Sequence, residues 1–236
     1  MCYDNSFRLV FADNPWPAWA TQMEEKALPR FLRMVFLFLA AGMLAFASPL
    51  FTAGQVVDMQ FIGPNGSSAG GIYVGPYNFL INGELVKLIC DDPYPADQIG
   101  AGESWQAVVS FYPTLSMTRF GTRPDAVTLY GQTEALAYDM LTSSTSSVYA
   151  DDHTALWNLV DPAYPMTPGA PARQTWAASQ LPPSGVQYLM FTPIDANGQP
   201  LASGHQEHLG FQATPEPATF LLAGAALLAI GFRRKT

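Results

Sequence analysis

Apolar residues recur at every second position through residues 56–62, 84–90 and 103–111. This is the period of a strand with one buried face. Residues 72–81, 186–192 and 208–212 are likewise rich in β-branched and aromatic side chains and read as further strands. Turn residues separate them. Gly63, Pro64, Asn65, Gly66 and Ser67 close the first strand, and Gly75-Pro76 puts a bend or an edge into the second. Asn82-Gly83 between two such runs is the strongest short hairpin signal in the chain, and Asn197-Gly198 marks another turn.

The period changes in the middle of the chain. Leu129, Leu136, Tyr138, Met140 and Leu141 lie in a window rich in Ala, Glu and Gln, which predicts a helix over residues 133–141. A second helix is expected over 152–159, capped by Asp151 or Asp152 and stopped by Asp161-Pro162. Residues 161–185 are a Pro-rich loop with a helical turn near Trp176. The expected fold is mostly β (α+β): a β-sandwich or small barrel carrying two short helices.

Two continuous apolar runs lie outside this body. Residues 34–47 follow Lys26, Arg30 and Arg33 and end in Ala45-Phe46-Ala47, a small-residue cleavage signal. Basic, apolar and small-residue parts in that order read as a secretory signal peptide over 23–47, with an N-terminal membrane helix as the alternative. Residues 1–22 do not fit this scheme, and the true start is expected at Met23 or Met34. Residues 218–232 form the second run, preceded by Pro215-Glu216-Pro217 and closed by Arg233, Arg234 and Lys235. An apolar segment ending in cations reads as a membrane helix with its basic end inside. At about 1.5 Å per residue it reaches about 22 Å, short of the ~30 Å hydrocarbon core.

The chain has 11 Lys and Arg against 19 Asp and Glu, a formal charge of −8. The body between the two runs, residues 48–213, holds only Lys87, Arg119, Arg123 and Arg173 as bases. Such a surface repels phosphate backbones, so nucleic acid is not an expected partner. Cys2 falls in the discarded part, which leaves Cys90 alone and without an internal disulfide.

The tail at 214–236, with its Pro-Glu-Pro, Leu/Ala/Gly span and terminal Arg pair, resembles the PEP-CTERM sorting signal of Gram-negative bacteria. The resemblance implies a membrane exosortase as partner, with Pro215, Glu216, Pro217, Arg233 and Arg234 as sorting residues. It also implies a cut near Pro-Glu-Pro, transient residence in the inner membrane, and an association with exopolysaccharide and biofilm matrix. An ordinary anchor helix is the alternative. The body is similar to one recurrent in PEP-CTERM proteins, through Val74-Gly75-Pro76-Tyr77, Cys90-Asp91-Asp92, Gly102-Glu103-Ser104-Trp105 and Ala155-Leu156-Trp157.

The same layout is similar, more distantly, to bacterial thioester domains, in which a strand-end Cys bonds a Gln on a Gln-x-Ala-Ile/Leu-Trp helix. Here His153 stands at the Gln position, and an imidazole has no carboxamide to acylate. Cys90 and His153 therefore read as a degenerate thioester site. As a thiol and its base they would instead serve a secreted Cys-dependent hydrolase, and a buried carboxylate pair is the other route to a secreted hydrolase. His205-Gln206-Glu207-His208 is not the helical His-Glu-x-x-His pattern, and these are expected as surface polar residues before a strand. Asp91, Asp92 and Asp97 could supply oxygens to calcium, but a solvated acidic loop is the simpler reading. No cofactor and no resident metal is expected. The chain reads as an exported, non-enzymatic surface or matrix protein, reached through the secretion translocon and exosortase.

Overall fold

The computed structural model describes residues 51–214, except 66–67, 70, 94–98 and 144–145. The element order is β1 (Val56–Pro64), β2 (Ser68–Ala69), β3 (Ile72–Tyr73), β4 (Tyr77–Ile81), β5 (Glu84–Cys90) and β6 (Ser104–Phe111), followed by helices α1 (Ala126–Thr142), α2 (Tyr149–Val160) and α3 (Ala170–Ala177), then β7 (Val186–Pro193) and β8 (His208–Ala213). Six strands close into an antiparallel barrel in the order β1-β4-β5-β8-β7-β6, and β2 and β3 form a separate two-stranded ribbon. Of the two expected architectures, sandwich or barrel, the chain adopts the barrel. The hairpin at Asn82-Gly83 forms with both residues at positive φ, 50° and 86°, the conformation a two-residue connection between twisted strands requires.

The helices differ from the expectation in number and extent. Among the described residues there are three α-helices, and α1 begins at Ala126 rather than at residue 133. Gly131 reads as a breaker, yet it lies inside α1. A Cβ there would come within 3.1 Å of the Tyr112 hydroxyl, so the glycine permits a close approach to the barrel. Neither Asp151 nor Asp152 caps α2. The helix starts earlier, from Val148, with no side-chain cap. Asp152 pairs with Arg173 of α3 instead, and Arg173 also pairs with Asp139 of α1. This one guanidinium ties the three helices together.

The run at 72–81 is also not one strand. Gly75, at φ 90°, and Pro76 split it into β3 and β4, as the bend at that dipeptide predicts. A Cβ at Gly75 would meet the Tyr149 ring at 2.6 Å.

Two apolar cores result. Met59, Phe61, Phe79, Ile81, Leu88, Leu189 and Phe191 fill the barrel. Ile89, Met190 and Leu209, on the opposite faces of their strands, pack against Tyr130, Leu136, Met140 and Leu156 of the helices. β7 is buried on both faces, which hides its alternation. β5 is exposed in its first half and buried only from Leu88 to Cys90. It meets β8 through two pairs, Ile89 with Leu209 and Cys90 with His208. At the other end of β8, the Phe51 N–H donates to Gln212 Oε1 at 3.0 Å and Gln212 Nε2 donates back to the Phe51 carbonyl at 3.2 Å.

Among the described residues no helix is long and apolar enough to cross a membrane. The signal-peptide and tail segments, with Ala45, Ala47, Pro215, Glu216, Pro217, Arg233 and Arg234, lie outside the described residues.

Candidate functional site

The β5–β8 pairing places chemistry on both sides of the barrel wall. Cys90 and His208 face the interior, while Asp91 and Glu207, one residue along, face the helices. The Asp91 N–H donates to the Glu207 carbonyl at 3.3 Å and extends the ladder.

Cys90 and His153 meet, as the resemblance implies, but not through the thiol. His153 Nδ1 accepts from the Gly75 N–H at 2.9 Å, so Nε2 carries the proton and donates to the Cys90 carbonyl oxygen at 2.8 Å. Both nitrogens are occupied by backbone. Burial pushes the ring down to about 4 and outweighs the hydrogen bond to Cys90. The Cys90 thiol turns to its own loop, donating to the Asp92 carbonyl at 3.1 Å and accepting from the Asp92 N–H at 3.4 Å. Its residue is 1% exposed. The chemistry of a thiol beside a free base is absent from this pair.

The acidic residues are a correction. Asp91 and Asp92, expected in a solvated loop, are 1% and 0% exposed. Asp92 pairs with Arg119, itself buried. Glu207 and His208, expected at the surface, are fully buried too. Glu207 accepts from the Tyr130 hydroxyl, the Thr192 hydroxyl and the Arg119 N–H. Burial, and then the charge of Glu207, hold Asp91 and Glu134 well above the usual carboxylate range. His208 sits between Phe79, at 4.6 Å, and Trp105, and burial takes it down to about 3.

The four residues of the His-Gln-Glu-His run therefore diverge. His205 stacks on Trp105 at 4.4 Å, Gln206 donates to the Asp92 carbonyl at 2.9 Å, Glu207 turns to the helices, and His208 enters the barrel. Among the described residues no three His, Cys, Asp or Glu side chains are placed to hold a metal ion. Asp97 lies outside the described residues.

Sequence reasoning missed Arg119, Tyr130 and Glu134, which come from distant segments. One signal was available: Arg119 is among only four bases in an acidic body, and a scarce cation tends to be committed. Each of the three arginines of the body is paired with an aspartate. Also missed was a cavity of about 270 Å³ at this end of the barrel, lined by Phe61, Tyr73, Tyr77, Trp157, Tyr164, Gln206 and others.

Beside this geometry stands the tail. A family profile described as the PEP-CTERM protein-sorting motif matches residues 213–235. The chain carries a PEP-CTERM sorting signal. The motif implies export, sorting at the cell envelope and processing by exosortase. No curated protein and no solved structure matches the chain.

Proposed function

We propose that this PEP-CTERM protein is a surface or biofilm-matrix component with no catalytic activity of its own, whose barrel works as a binding module outside the cell. It would pass through the secretion translocon and reside briefly in the inner membrane, with its ligand drawn from the surrounding exopolysaccharide. The observation that carries the non-catalytic reading is the double commitment of His153. With Nδ1 on Gly75 and Nε2 on the Cys90 carbonyl, neither nitrogen of His153 is left to activate the thiol. The Cys90 hydrolase reading thereby loses His153 as its base.

A second reading keeps the adhesion role of thioester domains without the bond. Its support is that the strand-end Cys90 and helix position 153 touch, as in the layout they resemble. Native protein treated with iodoacetamide at neutral pH tests the non-catalytic reading. Slow labelling of Cys90, matching that of a buried thiol, is the expected result. Rapid stoichiometric labelling would overturn the non-catalytic reading. Substitution of Glu216 with folding unchanged should abolish retention at the surface, and unaltered retention would remove the sorting step.

A further inference from the structure

We propose that the cavity at the Cys90 end of the barrel is a binding site for a single neutral sugar ring. The inference rests on the binding-module reading and names the ligand class of that module. Three features of the cavity carry it.

The first is the chemistry of its walls. Tyr73, Tyr77, Trp157 and Tyr164 line it, and each offers an apolar face with a polar tip. Trp157 is locked in place, with the His153 ring 4.0 Å from one side and Tyr164 at 5.1 Å. The C–H faces of a pyranose pack on such rings while its hydroxyls reach their edges.

The second is unspent hydrogen-bonding capacity. Trp157 is 3% exposed, and its indole N–H meets no acceptor among the described residues. A buried donor left unpaired is unfavourable. Gln206, in the same wall, directs an amide N–H to the Asp92 carbonyl. A purely apolar guest would leave the indole N–H unsatisfied, whereas a sugar hydroxyl can accept from it.

The third is charge. No cationic side chain lines the cavity among the described residues. Asp92 of its wall is paired with Arg119. A uronate or phosphate would meet no counter-charge in an acidic domain, so a neutral ring is selected. At about 270 Å³ the cavity lies below the ~300–1,000 Å³ of drug-sized sites, room for one ring and not for a branched chain. Ile72 and Tyr73 at its rim are 47% and 54% exposed, positioned to meet the neighbouring sugar units.

The test uses the full chain purified in detergent, titrated with neutral trisaccharides of glucose, galactose and mannose and with trigalacturonate. Tryptophan fluorescence and saturation-transfer NMR report binding. At least one neutral trisaccharide is expected to bind, with trigalacturonate inert. Tyr73→Ala, at an exposed position, should weaken binding by about tenfold, the loss of one stacking face. Trp157→Phe, which keeps a ring and deletes the N–H, should do likewise, and Leu181→Ala on another surface should leave binding intact. No binding of any neutral sugar, preferential binding of trigalacturonate, or binding indifferent to Tyr73→Ala would overturn the proposal. The assay is done on purified protein. Failure of the surface-module reading would appear separately, as chain absent from the envelope fraction.

Discussion

Replacing His153 with glutamine keeps a donor and an acceptor between Gly75 and Cys90 but removes the ring that titrates. In the folded protein that ring is pushed from 6.5 to about 4. The unfolded chain therefore takes up a proton near pH 6.5, before the folded one can. The stability associated with a neutral His153 is fully present above that pH and is lost as pH falls toward 4. At about 1.4 kcal/mol for each tenfold difference in proton affinity, the gap is worth about 3 kcal/mol by pH 4. Asp91 and Glu134 act in the opposite sense, because carboxyls held above their ordinary range cost stability as pH rises past it. The absolute curve mixes these effects, but the difference between wild type and His153→Gln isolates one ring.

Urea unfolding of both proteins from pH 7 to pH 4, followed by tryptophan fluorescence, measures that difference. The wild type is expected to lose about 3 kcal/mol more than the variant over this interval. A difference that stays flat with pH would refute the buried, backbone-tied neutral imidazole. The variant also supplies the carboxamide that thioester domains carry at this position, so its intact mass is read alongside. Position 153 meets the Cys90 carbonyl oxygen rather than the sulfur, and no loss of ammonia is expected.

The other predictions concern residues around the same barrel end. Arg119→Met leaves Asp92 buried without its counter-charge and should cost about 3–5 kcal/mol in chemical denaturation; a loss under about 1 kcal/mol would mean that the pair is solvated. Gly75→Ala sets a Cβ against the Tyr149 ring at φ 90°, and should lower stability by about 1–3 kcal/mol. An unchanged melting temperature would remove that close approach. Cys90 should resist alkylation in native protein and label fully in urea, and equal rates in the two conditions would contradict its burial. The wild-type mass should likewise show no ammonia loss.

Strands, hairpin and the barrel-or-sandwich architecture were legible because alternation and turn chemistry are local. Asn82-Gly83 could be read from two residues. The start of α1 was not legible, because Gly131 breaks a helix by propensity but here serves contact with Tyr112, a residue on another segment. The burial of Asp91, Asp92 and Glu207 was hidden for a similar reason. A carboxylate in a sequence reads as solvated unless its partners are visible, and here these are Arg119, Tyr130 and Thr192, each on another segment of the chain. The contact between Cys90 and position 153 was legible through the thioester resemblance. That it runs through a carbonyl oxygen and not a sulfur could be learned only from coordinates.

The clasp between Phe51 and Gln212 bears on how the domain is presented. β8 leaves the cavity at Gln206–His208 and ends beside that clasp, a run of six residues or about 20 Å. The chain therefore enters and leaves the barrel at the pole opposite the aromatic cavity. A cut beyond Thr214 leaves every rung of the barrel among the described residues in place.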